Sequence, residues 1–138
     1  MIDFNKFFTK GLGKSILLKD NGAVSHNGPW KQVYTNTLLD RFYLGDFCSA
    51  EYTISADLNN NNKEILKVLV VASLDNASVM VYSRVNTNRN IVNVSATVNS
   101  SYVDVILNPA TTTESPNNDG AKIIYTVNYF QNQNPLTV

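Results

Sequence analysis

Residues 47–86 constrain the fold more than any other part of the chain, because three segments with the apolar pattern of β-strands follow one another there. The first, residues 47–58, alternates between apolar and polar side chains, as a strand with one buried face does. Asparagines at 59–62 and the pair Asp75-Asn76 supply turn residues whose side chains hydrogen-bond to nearby backbone. We therefore predict three antiparallel strands joined by two turns, with these residues of the first strand facing the core: Cys48, Ala50, Tyr52, Ile54, Ala56 and Leu58.

The second segment, residues 63–74, is apolar on both faces, and the third, residues 77–86, alternates again. A strand that is apolar on both faces is typical of a position covered from both sides. We therefore predict that the second strand is central in its sheet or lies beneath another layer. In the third strand the alternation predicts that Val79, Val81 and Val85 share one face, opposite Met80, Tyr82 and Arg84.

The rest of the chain shows short strand patterns separated by residues that favour turns. We predict strands at 15–19, 30–35, 91–98, 102–107 and 121–131, a loop at 25–29 that contains His26, and a long exposed loop at 108–120. Residues 37–44 have the spacing of a short helix, capped by Thr37, ended by Gly45, and with Leu38, Leu39 and Phe42 facing inward.

These elements predict an all-β fold, an antiparallel two-sheet β-sandwich of the jelly-roll or Ig-like type, with a partly closed barrel as the alternative. The length of 138 residues is that of one ordinary domain. We place a single β-sandwich domain at residues 14–138. Residues 1–13 form a separate N-terminal arm, helical or extended, that is a candidate docking segment.

Composition and motifs exclude several classes of function. The chain has 11 basic and 11 acidic residues and a formal net charge of +0, which argues against binding nucleic acid. The single cysteine, Cys48, cannot form an intramolecular disulfide or a cysteine-cluster metal site, and no segment has the ~20 apolar residues of a membrane span. No phosphate-binding loop, nucleophile elbow or zinc cluster is present, and His26 is the only histidine. We therefore expect no enzymatic activity, no catalytic residue, no cofactor, no bound metal and no membrane partner.

Aromatic side chains are the strongest candidates for an interface. Phe4, Phe7 and Phe8 fall at helical spacing in the N-terminal arm, where they either pack onto the domain's own sheet or dock into a partner protein. Trp30 is the only tryptophan and is a core or interface anchor. Tyr129 and Phe130 are further interface candidates, as exposed aromatics of the last strand.

Five short motifs lie between residues 47 and 130: SAEYTI at 49–54, KEILK at 63–67, VVA at 70–72, VYSR at 81–84 and NSSY at 99–102. Together they resemble a domain of virion structural proteins from phages that infect marine cyanobacteria and related bacteria. The resemblance implies a non-enzymatic component of the phage particle and brings no catalytic residues with it.

Two hypotheses of function follow. The first is a virion structural protein, either a capsid decoration subunit or a head- or tail-attached fibre component. It would be a homo-oligomer located in the virion and bound to other virion proteins, such as the major capsid or tail and neck proteins. The second is a carbohydrate-binding module for a host-surface glycan. Whether its candidate aromatic residues point outward together distinguishes the two; they are Tyr43, Tyr52, Tyr82 and Tyr102.

Overall fold

The computed structural model describes residues 35–110 and 120–132, and the backbone of three strands nearer the N-terminus. The described residues form strands and turns with no helix, arranged as two antiparallel sheets. The all-β, two-sheet antiparallel prediction is confirmed. The strands are β1 (Ser15–Leu18), β2 (Ala23–Asn27), β3 (Lys31–Val33), β4 (Thr37–Tyr43), β5 (Phe47–Asn59), β6 (Asn62–Ala72), β7 (Ala77–Asn86), β8 (Val92–Asn99), β9 (Tyr102–Pro109) and β10 (Ala121–Gln131).

The large sheet has seven strands in the order β1-β2-β10-β5-β6-β7, with β3 also paired to β10, and the small sheet has the order β4-β9-β8. The core lies between the two sheets, because the alternating apolar residues of β5, β6, β9 and β10 turn toward each other. The largest side chains that are fully buried there are Tyr52, Leu39, Leu44, Ile54, Leu66, Leu107 and Ile123.

Strands β5 and β6 form the predicted hairpin, with Ser49 opposite Val71 and Asp57 opposite Lys63. Asn59 closes its turn, since its side-chain oxygen accepts a hydrogen bond of 2.9 Å from the backbone amide of Asn61. Strand β10 pairs with β5 along its length although more than sixty residues separate them in the chain, so the centre of the large sheet depends on a non-local pairing.

Residues 37–43 form strand β4 rather than the predicted helix. The register of β4 against β9 shifts between Leu38 and Asp40. A bulge of this kind inserts one residue and breaks the period of two. Leu39 and Phe42 are therefore both buried while Leu38 is 40% exposed. The bulge produces the three-residue spacing that sequence alone assigns to a helix.

A second bulge corrects the predicted faces of β7. The register against β6 shifts between Lys67 and Val68, so the alternation of β7 changes phase beyond Val81. Val85 consequently lies outward at 65% exposure, and Arg84 turns toward the interior. The predicted loop that contains His26 is also wrong, because the backbone at that position belongs to strand β2.

Arg84 meets the buried carboxylate of Glu64, whose side chain has no exposed surface. Glu64 also accepts a hydrogen bond of 2.5 Å from the backbone amide of Ile91, at the entry to β8. Burial raises the pKa of Glu64, whereas the Ile91 amide and Arg84 oppose that rise. The carboxylate thus ties the large sheet to the connection that leads into the small sheet.

Candidate functional site

Three tyrosines gather around Asp40 between the two sheets. The hydroxyls of Tyr52 and Tyr129 both donate to Oδ2 of Asp40, at 2.8 and 2.5 Å. The ring of Tyr125 lies 6.1 Å from that of Tyr52, and Phe47 stacks on Tyr129 with ring centroids 5.0 Å apart. The bulge in β4 makes this cluster possible, because it turns Asp40 inward beside Leu39.

Burial raises the pKa of all three tyrosines, and the negative charge of Asp40 raises each pKa further. The hydroxyls therefore stay protonated and act as hydrogen-bond donors. Among the described residues, no buried side-chain nitrogen or oxygen atom is without a hydrogen-bond partner. The cluster is closed within the core and is suited to stability rather than to binding.

The outer face of the large sheet is the first exposed candidate surface. Strand β6 was predicted to be central in its sheet or to lie beneath another layer. It is an interior strand, paired with β5 and β7, and the described residues place no layer over its outer face. Its inward residues are buried, but Ile65, Leu69 and Val71 are 43–54% exposed on the outer face. Neighbouring strands extend this apolar surface with Met80, Ile124 and Phe130.

A groove of about 470 Å³ lies on this face, near the turn between β6 and β7. Ser49 and Ser78 stand on either side of Val71 in one row across the strands, and Phe130 is the next residue in that row. The short serine side chains leave space between the larger ones. Exposed apolar patches of this kind mark interaction surfaces.

The outer face of the small sheet is polar and aromatic instead. Arg41 on β4 lies opposite Asp104 on β9, and its Nε and Nη2 atoms donate to the carboxylate at 2.5 and 3.0 Å. Asn99 donates to the same carboxylate at 3.3 Å. The hydrogen bond from Arg41 lowers the pKa of Asp104 and outweighs the effect of its burial.

Tyr43 and Tyr102 lie opposite each other beside this ion pair, with ring centroids 5.3 Å apart and an interplanar angle of 47°. The two side chains are 36% and 43% exposed. The guanidinium carbon of Arg41 sits 5.8 Å from the centroid of the Tyr102 ring. Gly45 allows the Tyr43 ring to fold back, since a Cβ atom at Gly45 would approach Cε2 of that ring to 2.1 Å.

The predicted interface residues differ in their exposure, and only two of them lie within the described residues. Tyr129, expected to be exposed, is buried at 8% exposure, whereas Phe130 is 43% exposed and lines the groove of the large sheet. The other four predicted residues lie outside the described residues, as does the N-terminal arm at 1–13; they are Phe4, Phe7, Phe8 and Trp30. The assignment of these residues to an interface stays a prediction.

The four tyrosines considered for a glycan surface do not share one face of the protein. Tyr43 and Tyr102 point outward together, Tyr82 is exposed on the opposite sheet, and Tyr52 is buried. The sequence did not indicate the neighbours Arg41, Asn99 and Asp104, because strand pairing brings them together. For the large-sheet face, the doubly apolar pattern of β6 was the available signal.

Within the described ranges, no group of three or more histidine, cysteine, aspartate or glutamate side chains is arranged to hold a metal ion. The same residues include no helix with the length and apolar character needed to cross a membrane.

Comparison with solved structures relates the fold to phage tailspikes. The chain is similar to the tailspike protein of Acinetobacter baumannii phage AM24, with a TM-score of 0.50 and 9% identity over 82% of this chain and 27% of that one. It is also similar to the tailspike gp49 of Acinetobacter baumannii bacteriophage Fri1, a capsular polysaccharide depolymerase, with a TM-score of 0.44 and 10% identity. That match covers 96% of this chain and 22% of the tailspike.

At this level of identity the likeness shows the fold alone, and the chain spans about a quarter of the length of the tailspikes it matches. No protein-family model matches the sequence, and no curated protein matches it either. Both neighbours belong to phages of Acinetobacter, and neither connects the chain with phages of marine cyanobacteria.

The prediction that the protein is not an enzyme is wrong. It relied on the missing catalytic motifs and on the resemblance to non-enzymatic particle components. The fold occurs in tailspikes, one of which is a capsular polysaccharide depolymerase. The absence of a catalytic motif in these 138 residues therefore does not identify a non-enzymatic protein.

Proposed function

We propose that this chain is a virion-associated module of a phage tail appendage, and that it assembles with a second copy of itself through the outer face of the large sheet. The observation that carries the assembly is the uncovered apolar face of β6, where Leu69 and Val71 are 43% and 54% exposed. The fold shared with phage tailspikes and the resemblance of residues 47–130 to virion structural domains support the phage context.

The size of the face suits an interface between two copies. Four strands spaced by about 4.8 Å, each with about nine residues at about 3.3 Å, present roughly 600 Å². Two such faces in contact bury roughly 1,200 Å² in total, which is the lower limit for specific interfaces. A second copy offers an equally apolar surface and the same dimensions.

The charges on this face permit it to meet an identical face. Lys63 pairs with Asp57 at 2.9 Å, and Lys122 lies opposite Asp57 in the register of β10 and β5. Glu51 and Lys67 are diagonal neighbours across β5 and β6. Because charges of both signs alternate on the face, two copies avoid the repulsion that a surface of single sign would cause.

Sedimentation of the full chain tests the self-assembly. We expect an oligomer whose sedimentation depends on concentration, and a monomer when Leu69→Ser and Met80→Ser remove two exposed apolar side chains of this face. The matched control, Tyr43→Ser with Tyr102→Ser, removes two exposed side chains of the small sheet and should remain oligomeric. A monomeric wild-type protein, or an oligomer that the first pair leaves intact, would overturn the proposed interface.

The position on the particle is tested by immunoelectron microscopy of purified phage with an antibody against this chain. We expect label at the tail. Label on the capsid surface, or no label on intact particles, would contradict the tail assignment while leaving the sedimentation result standing.

A further inference from the structure

We propose that Tyr43 and Tyr102, with Arg41 and Asn99 at their border, form a binding site for a pyranose ring of a glycan. The four residues are named here as the tyrosine platform. It lies on the outer face of the small sheet, so it is separate from the assembly surface and does not depend on the function proposed above.

The first argument is that the two hydroxyl groups have no bonding role in the fold. Among the described tyrosines, Tyr52 and Tyr129 donate to Asp40, and Tyr82 donates to Glu51 at 3.1 Å. The hydroxyls of Tyr43 and Tyr102 have no hydrogen-bond partner among the described residues. The two residues are 36% and 43% exposed and do not belong to the buried core.

The second argument is that the platform is held in place before any ligand binds. Tyr102 lies between Tyr43 and Asn99 in the register of the small sheet. Arg41 covers one part of the Tyr102 ring and is fixed by its two bonds to Asp104. Side chains fixed in this way lose little conformational entropy when a ligand binds.

The turn that carries Gly45 is fixed as well. The backbone amide of Leu44 donates to Ser101 at 2.8 Å, and the side chain of Asn132 donates to the carbonyl of Leu44 at 2.7 Å. Gly45 is therefore held beside the Tyr43 ring, and because glycine has no Cβ atom the ring can occupy this space.

The third argument concerns the chemistry of the ligand. Two aromatic rings supply an apolar surface, and polar groups surround it: two tyrosine hydroxyls, the side-chain oxygen of Asn99, and Nη1 of Arg41, which makes no bond to Asp104. The charge of Arg41 is balanced by Asp104, so the site has no net charge to attract a polyanion such as nucleic acid. A pyranose ring has an apolar face of C–H groups and hydroxyls around its edge, and it matches both parts of this surface.

The experiment is an NMR titration of the isotopically labelled full chain with methyl glucoside, methyl galactoside, N-acetylglucosamine and glucuronic acid. We expect saturable shifts of the Tyr43 and Tyr102 ring signals and of the Arg41 and Asn99 side-chain N–H signals with at least one of these sugars. Tyr102→Ala should weaken binding by about tenfold or more, as the loss of one stacking aromatic does elsewhere.

Two further variants separate the site from the fold. Gly45→Ala should displace the Tyr43 ring and weaken binding severalfold while it leaves the core contacts unchanged. Tyr82→Ala removes an exposed tyrosine from the opposite sheet and should leave the affinity unchanged. Absence of saturable shifts with all four sugars, shifts centred on Tyr82, or equal affinity in Tyr102→Ala would each overturn the proposal.

Discussion

The inner and outer tyrosines of this protein use the same side chain in opposite ways. Tyr52, Tyr125 and Tyr129 converge on Asp40 inside the sandwich, and burial raises the pKa of each. Tyr43 and Tyr102 pair on the outer face of the small sheet, and their hydroxyls bond to nothing among the described residues.

The difference shows how environment decides the role of a tyrosine. A buried hydroxyl without an acceptor costs ~1–3 kcal/mol, so an inner tyrosine requires a partner such as Asp40. An exposed hydroxyl is satisfied by water and needs none. The inner set therefore contributes to the free energy of unfolding, and the outer set is available for a ligand.

The largest expected effect is a loss of stability in alkali. The inner tyrosines ionise near their ordinary pKa of 10.0 in the unfolded chain, but their raised pKa keeps them protonated in the fold. Their contribution to the free energy of unfolding is complete below pH 10 and is lost as the pH rises. The three tyrosines together should lose about 4 kcal/mol of it near pH 11. Urea unfolding at several pH values across this range measures how much of the free energy of unfolding is lost. Tyr125→Phe should reduce the dependence of the free energy of unfolding on pH by about a third. An unchanged pH dependence in this variant would show that the inner tyrosines do not carry the effect.

Replacing Asp40 should have the next largest effect. Asp40→Ala leaves the hydroxyls of Tyr52 and Tyr129 buried without an acceptor, so we expect the free energy of unfolding to fall by about 3 kcal/mol. Asp40→Asn retains an acceptor oxygen and should cost less than half as much. Chemical unfolding at neutral pH measures both variants, and a loss below about 1 kcal/mol in Asp40→Ala would show that the inner set does not depend on this carboxylate.

The ion pair on the outer face should contribute less than the inner cluster. Asp104→Asn weakens its bonds with Arg41, and since the Arg41 side chain is 46% exposed we expect a loss of about 1 kcal/mol. Because the pKa of Asp104 is lowered, the ion pair makes its full contribution to the free energy of unfolding above the ordinary pKa of an aspartate. That contribution is lost as the pH falls through the lowered pKa. Asp57→Asn breaks the exposed pair with Lys63 and serves as the control, with an expected change near zero. Equal losses in the two variants would remove any special role for Asp104.

The smallest effect on stability should come from the outer tyrosines themselves. Tyr102→Ala removes a side chain that is 43% exposed, and we expect the free energy of unfolding to change by about 0.5 kcal/mol. Tyr129→Ala, in the buried set, should cost about 3 kcal/mol or more. Thermal unfolding of both variants measures the contrast, and a large loss in Tyr102→Ala would make the outer pair structural.

Local patterns determined much of the large sheet. The alternation in residues 47–58 and 121–131 places Ala50, Ile54, Ile123 and Val127 in the core, as the structure does. Strand β10 has the bounds expected from sequence. These predictions succeed because side-chain direction in a regular strand depends only on a period of two.

Tertiary structure decided where that period fails. The bulge beside Asp40 lies in the pairing of β4 with the distant strand β9, and it converts an apparent helix into β4. The bulge in β7 lies in its pairing with the preceding strand β6, and it turns Val85 outward. Likewise, the apolar outer residues of β6 show in the sequence, but only the sheet order shows that the described residues leave them uncovered.

By itself, the sequence determined an all-β chain with two antiparallel sheets and named Tyr43 and Tyr102 as aromatic candidates. Only tertiary structure separated them from Tyr52 and Tyr82 and joined Arg41 to Asp104, which are 63 residues apart in the chain. The physical reason is that strand patterns are local, whereas a surface site forms from the register between strands that meet only when the chain folds.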